Sequence, residues 1–294
     1  MSGTNIRQVG TSVLVILVCL CADAEDGAAR NAIQYAAAKQ IATLANEDIL
    51  ESSGLAISHR SANLFWTHND SGDAARIFAF DQRGRDIGTC KIAGAKAVDW
   101  EDMASFVRDG TNWLLLADVG DNARRRDTCQ LYLVKEPRPA AAAATVHAVF
   151  QFRYANGPRD CEAVGVDASA NKVLLVSKSL VGPTAFELDL PAEPTDATLV
   201  AKPLARLALP AVTAMDVSAD GRHAVVMNYV EAHVYDRADG ESWRVALRRP
   251  PRVIKLPHLR QAEAICYGRD SATLYVTGER LPTPLWQFAP ALAK

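Results

Sequence analysis

Glu101-Asp-Met-Ala-Ser-Phe, followed by Trp113-Leu-Leu-Leu-Ala, is the stretch whose recurrence decides the fold. A polar residue opens a short strand of small and apolar residues. Asp109 and Gly110 then supply a turn, and a strongly apolar strand returns. The same order recurs in Ser53-Gly-Leu-Ala-Ile-Ser with Asn63-Leu-Phe-Trp-Thr, and in Glu162-Ala-Val-Gly-Val-Asp with Lys172-Val-Leu-Leu-Val. It recurs again in Thr213-Ala-Met-Asp-Val-Ser with His223-Ala-Val-Val-Met, and in Glu263-Ala-Ile-Cys-Tyr-Gly with Thr273-Leu-Tyr-Val-Thr. Successive copies start 48, 61, 51 and 50 residues apart, the length of a four-stranded propeller blade and too long for most helical repeats.

Each copy continues into a third strand, seen at Arg76-Ile-Phe-Ala-Phe, Gln130-Leu-Tyr-Leu-Val, Ala185-Phe-Glu-Leu, Ala232-His-Val-Tyr and Pro284-Leu-Trp-Gln-Phe. Fourth strands fit Ile87 to Ile92, Val146 to Phe152, Leu204 to Leu209 and Arg252 to Leu256, and the fifth copy has none of its own. Lys39-Gln-Ile-Ala-Thr-Leu-Ala resembles those outer strands, and pairing it with the last copy closes a ring without a long exposed edge. The expected fold is therefore all-β, a propeller of five four-stranded blades; six blades would need a further copy. A β-sandwich would not repeat at this period, and an α/β barrel needs long helices that are missing after Leu44. Pro137-Arg-Pro-Ala-Ala-Ala-Ala-Ala accounts for the long 61-residue spacing and reads as a loop insertion in the second blade.

Residues 1–24 have a signal-peptide plan: Arg7, an apolar run from Val13 to Cys21, and cleavage between Ala24 and Glu25. The expectation is a periplasmic or secreted protein whose single domain spans 25–294, with an uncleaved membrane tether as the alternative. Losing Arg7 and Asp23 together leaves the net charge of −2 unchanged. That balance, with 22% charged residues and no basic stripe, argues against nucleic acid as a partner. The remaining cysteines are Cys90, Cys129, Cys161 and Cys266. Their blade assignments predict a Cys90–Cys129 disulfide, with Cys161 and Cys266 free.

The first strand of every propeller blade lines the central channel, so residues in the opening position converge on one mouth. Glu101, Glu162 and Glu263 hold that position, and Glu51, two residues before Ser53, shares its face by alternation. Convergent carboxylates repel one another and suit a hard divalent cation, with calcium the best fit. These four glutamates are the expected metal ligands. Acidic loops carry the remaining candidates for ligand binding: His68, Asn69, Asp70 and Asp73 in one, Asp102 in Asp99-Trp-Glu-Asp, and Asp118, Asp121 and Asn122 in a third. The chain contains no G-x-S-x-G, H-E-x-x-H, P-loop or complete EF-hand. Trp66, Trp100 and Trp113 read as core or channel-wall aromatics.

Glu51-Ser-Ser-Gly-Leu-Ala, His68-Asn-Asp-Ser-Gly, Ile77-Phe-Ala-Phe-Asp, Gly84, Asp99-Trp-Glu-Asp-Met-Ala and Leu116-Ala-Asp-Val-Gly-Asp-Asn together resemble exported bacterial propellers of the SdiA-regulated type. More distantly they resemble phytase-like and esterase-like propellers. The likeness is sharpest over 51–136 and implies a propeller fold with possible calcium binding. A propeller phytase would surround a multi-calcium mouth with Lys and Arg, whereas the mouth expected here is acidic. The leading functional expectation is a non-catalytic propeller that binds a small molecule or a protein through a cation-holding acidic face. The alternative is a metal-dependent phosphate or carboxylic ester hydrolase.

Overall fold

A computed structural model describes residues 33–291, so the signal segment expected at 1–24 lies outside the described residues. Short alternating segments between turn residues become strands almost throughout. β1 (Lys39–Thr43) is followed by a first group, β2 (Ser52–Ile57), β3 (Leu64–Asn69), β4 (Arg76–Asp81) and β5 (Asp86–Ala93). The second group is β6 (Trp100–Arg108), β7 (Thr111–Asp118), β8 (Cys129–Lys135) and β9 (Ala143–Tyr154). The third is β10 (Cys161–Asp167), β11 (Lys172–Ser177), β12 (Thr184–Asp189) and β13 (Leu199–Arg206). The fourth is β14 (Ala214–Val217), β15 (His223–Met227), β16 (Glu231–Asp236) and β17 (Arg252–Lys255), with the four-residue helix α1 (Trp243–Ala246) before β17. The last is β18 (Ala262–Tyr267), β19 (Leu274–Gly278) and β20 (Pro284–Phe288).

Every group is an antiparallel meander, and β1 pairs antiparallel with β20, Lys39 opposite Gln287 and Thr43 opposite Pro284. The groups pack face to face. One apolar cluster joins the first and second groups through Trp66, Ile77, Met103 and Leu116. Others join the second to the third, the third to the fourth and the fourth to the last. A fifth joins the last to the first, where Phe65 meets Tyr275 edge-on at a ring-centroid distance of 4.7 Å. This all-β, propeller-like arrangement puts β2, β6, β10, β14 and β18 innermost.

Three expectations need correction. Pro137–Ala144 is only partly loop, because Ala143 and Ala144 open β9 and pair in parallel with Lys91 and Ile92 of β5. Ladder bonds use backbone alone, so a free strand edge recruits alanines without any side-chain signal. The fourth strand of the third group lies at Leu199–Arg206 rather than Leu204–Leu209, since its start pairs in parallel with β9 while Leu207 and Leu209 turn into the core. Finally, Cys90 and Cys129 form no disulfide; all four cysteines are free and buried. Cys129 alternates with Leu131 and Leu133 toward the third group, whereas Cys90 packs between the first and second. The two thiols therefore face opposite sides of the second group.

Candidate functional site

Four of the five inner strands start with the same irregularity, and β14 pairs with β15 without one. The pairing register skips Ser53 in β2, Glu101 in β6, Glu162 in β10 and Glu263 in β18, leaving each as a one-residue bulge. A bulge re-aims its side chain out of the sheet alternation. Ser53 and Thr213, at the same position in the first and fourth groups, sew neighbours together: Ser53 Oγ donates to the Glu101 carbonyl at 2.6 Å and Thr213 Oγ1 to the Ala262 carbonyl at 2.9 Å. The three glutamates instead enter the mouth.

Two further rings of positions face the same opening. Two residues ahead of the bulge stand Glu51, Asp99 and Asp160. Just past the second strands stand Asp70, Lys178, Tyr229 and Glu279. Ligand oxygens of Asp70, Asp99 and Glu101 all lie within 4.8 Å of one another. Gly120 makes that approach possible, because a Cβ there would collide with the carboxyl groups of both Asp99 and Glu101.

Like charges at this density are held apart by protons and one ammonium group. Burial first, then Glu162, Asp70 and Asp99, pushes Glu101 up to about 12, so it keeps its proton and donates to Glu162. Glu162 is pushed up to about 7 by burial, opposed by Lys178, whose Nζ lies 3.1 Å from Glu162 Oε2. Across the mouth Tyr229 hydrogen-bonds Glu263, and Glu279, raised to about 8 by burial and by that neighbour, donates to Glu263. Burial also raises Asp99, with Asp70 contributing, and raises Glu51, which faces Glu279 across a lone β-bridge.

These shifts carry a stability consequence. Carboxyl groups with raised folded-state values contribute fully below the unfolded value and lose that contribution as pH climbs through the folded one. Glu162 and Glu279 lose theirs near 7 and 8, as does buried Asp216 near 7. Burial lowers His59 and His68, which act in the opposite sense only up to their ordinary value of 6.5. In chelator the melting temperature is expected to fall by about 5 °C between pH 6.5 and 8.5. Glu279→Gln is expected to flatten that slope; calorimetric scans showing a rise with pH instead would contradict it.

Of the four glutamates expected to bind metal, Glu101 and Glu162 form one carboxyl pair in the mouth, Glu263 forms another with Glu279, and Glu51 is exposed at the rim. Of the loop candidates, Asp70 joins the cluster, while most of the others are engaged by the fold. Asn69 accepts from Glu51 N and donates to Asp48 O and Asp73 Oδ2. Asp73 is held by Arg76 and Ala74 N. His68 is buried against Trp100, its Nδ1 on the Asn69 carbonyl. Asp118 pairs with Arg126 at 2.7 Å, Asp121 caps the Arg125 and Arg126 N–H groups, and Asn122 is exposed. Asp102 accepts from Met103 N, Val164 N and Met215 N. Lys178, Tyr229 and Glu279 were not among the expected residues; their signal is a shared position after the second strand of each repeat, not a motif.

No protein-family model matches the sequence, and no curated protein matches it. Among solved structures, a luciferin-regenerating enzyme is similar over 87% of this chain and 97% of its own, with a TM-score of 0.48 and 8% sequence identity. The propeller-like fold thus rests on the strand pairings and interleaved cores described above. No helix among the described residues is long and apolar enough to cross a membrane.

Proposed function

We propose that this chain is an exported five-bladed propeller, closed by β1 on β20, that binds a ligand or partner at its acidic mouth without catalysing a reaction and holds a hard divalent cation there. The observation that carries the cation is the convergence of Asp70, Asp99 and Glu101, with oxygens mutually within 4.8 Å. Three carboxylates, with Glu162 adjacent, offer calcium a hard, anionic oxygen set, and an ion there would replace the proton that Glu101 otherwise keeps. The resemblance to exported propellers of the SdiA-regulated type supports both export and this ion. Five ladders with five intervening cores support the blade count.

Calorimetric titration of calcium into the wild type is expected to show binding in the range of about 0.1–1 mM typical of extracellular modules, with proton release. Glu101→Gln is expected to weaken it at least tenfold, since one anionic ligand is lost, while Asp73→Asn leaves it unchanged because Asp73 is committed to Arg76. No heat with any of the three proteins would end the cation reading. Calcium-dependent turnover of phosphate monoesters or carboxylic esters would transfer the site to a metal-dependent hydrolase.

A further inference from the structure

Ten large apolar side chains stand exposed among the described residues, and six of them belong to the loops that form this one mouth: Leu50, Val98, Leu180, Val181, Val230 and Leu281. Each lies within three residues of a mouth group. Leu50 abuts Glu51, Val98 abuts Asp99 and Val230 abuts Tyr229; Leu180 and Val181 follow Lys178, and Leu281 follows Glu279. Every one of the five groups contributes at least one. Scattered exposed leucines and valines are ordinary, but a set gathered around one polar opening marks a binding surface.

The loops bearing this rim are anchored. Arg280 N donates to the Leu50 carbonyl at 2.8 Å, tying the last group to the first. Ala211 N donates to the Ser179 carbonyl at 2.9 Å, and Arg206 Nη2 to the Val181 carbonyl at 3.3 Å. Val230 N is held by Asn228 Oδ1 at 3.0 Å. Leu180 and Val181, 81% and 78% exposed, thus stay in water on a braced loop. Bracing lowers the ordering cost of binding.

Charge selects the occupant. Carboxyl groups dominate the opening; Lys178 among them is already engaged with Glu162, Arg126 near Asp99 is paired with Asp118, and Arg280 lies near Glu279. Anionic lipid surfaces are repelled by such a mouth. A second copy of the chain would oppose carboxylates to carboxylates. A protein segment with a basic side chain between apolar residues satisfies both zones at once. We propose that this face docks a segment of another protein that carries Lys or Arg flanked by apolar residues, the cation entering the mouth and the flanks covering the rim. The inference rests on reading the mouth as the binding face, and it does not require the bound ion.

The test is selection of a displayed random-peptide library on the wild-type protein, with counter-selection on the Leu180→Ser/Val230→Ser double variant. Both replaced side chains are largely exposed, so melting temperature and calcium titration should match the wild type and separate this proposal from the cation reading. Selected peptides are expected to share Lys or Arg flanked by apolar residues. Replacing that cation by Gln, or using the double variant or Glu162→Gln, is expected to weaken their binding at least tenfold. Peptides without a shared basic–apolar pattern, peptides insensitive to these changes, or no enrichment would overturn the proposal. So would co-sedimentation of the protein with anionic vesicles through the same rim.

Discussion

Asp102→Ala is expected to destabilise the protein by roughly 4 kcal/mol, lowering its melting temperature by about 10 °C or more. The carboxyl group is fully buried and accepts from Met103 N and Val164 N at 2.8 Å and from Met215 N at 3.3 Å. Those donors belong to the second, third and fourth groups, so a single side chain bonds three inner strands. Innermost strands have a neighbour on only one side, and their free N–H groups face the axis, where they need an acceptor. Alanine removes that acceptor, and each abandoned buried N–H costs about 1–3 kcal/mol. Burial pushes the Asp102 carboxyl well up, and the same three N–H groups draw it back down.

Asp102→Asn separates geometry from chemistry. It keeps the shape but turns one oxygen into a donor facing other donors, and about half of the alanine loss is expected. Asp216, which accepts from Val217 N and Tyr267 N at 2.8 Å, performs the same task between the fourth and last groups with fewer partners, so Asp216→Ala should cost less. Thermal or urea unfolding decides between these roles. An Asp102→Ala protein melting within about 2 °C of the wild type would show that water replaces the carboxylate at the axis.

Asp102 also shows where sequence reading ran short. It stands next to Glu101 in Asp99-Trp-Glu-Asp, and the two look interchangeable as mouth carboxylates. The bulge at Glu101 separates them, sending one into the mouth and the other to the axis, and nothing in the residue types announces a bulge. The repeat itself was legible, because period-two alternation and turn residues are local and recur five times. So was the convergence of Glu101, Glu162 and Glu263 on one opening, which follows from repeat position. Lys178, Tyr229 and Glu279 occupy an equally regular position but share no chemistry, so no motif drew attention to them. The Cys90–Cys129 pairing fails on face: the two cysteines lie in adjacent groups, but the parity of Cys129 with Leu131 and Leu133 turns its thiol toward the third group.

Removing β1 is the sharpest test of the proposed closure. A chain starting at Asn46 is expected to lose cooperative folding at room temperature, whereas one starting at Glu25 keeps it. The deletion strips the partners from Gln287 to Pro284, the bonds from Ala36 N to the Ala289 carbonyl and from Leu44 N to the Thr283 carbonyl, and buried Leu44. It also removes Ile41 and Ala42 from the core shared by the last and first groups. At about 1 kcal/mol per ladder bond and 1.5–3 kcal/mol per large apolar side chain, the loss rivals the whole stability of a typical domain, about 5–15 kcal/mol. Gly84→Ala probes the same seam in the full chain. Gly84 has φ of +76°, Ala45 N donates to its carbonyl at 2.8 Å, and a Cβ there would collide with the Thr43 carbonyl. That variant should melt several degrees lower. Rescue distinguishes closure from a general loss of contacts: a synthetic peptide covering residues 33–45, added to the truncated chain, should restore folding by adding a strand to the β20 edge. Equal melting of the two chains, or truncated protein that stays unfolded with saturating peptide, would mean that β1 does not close the ring.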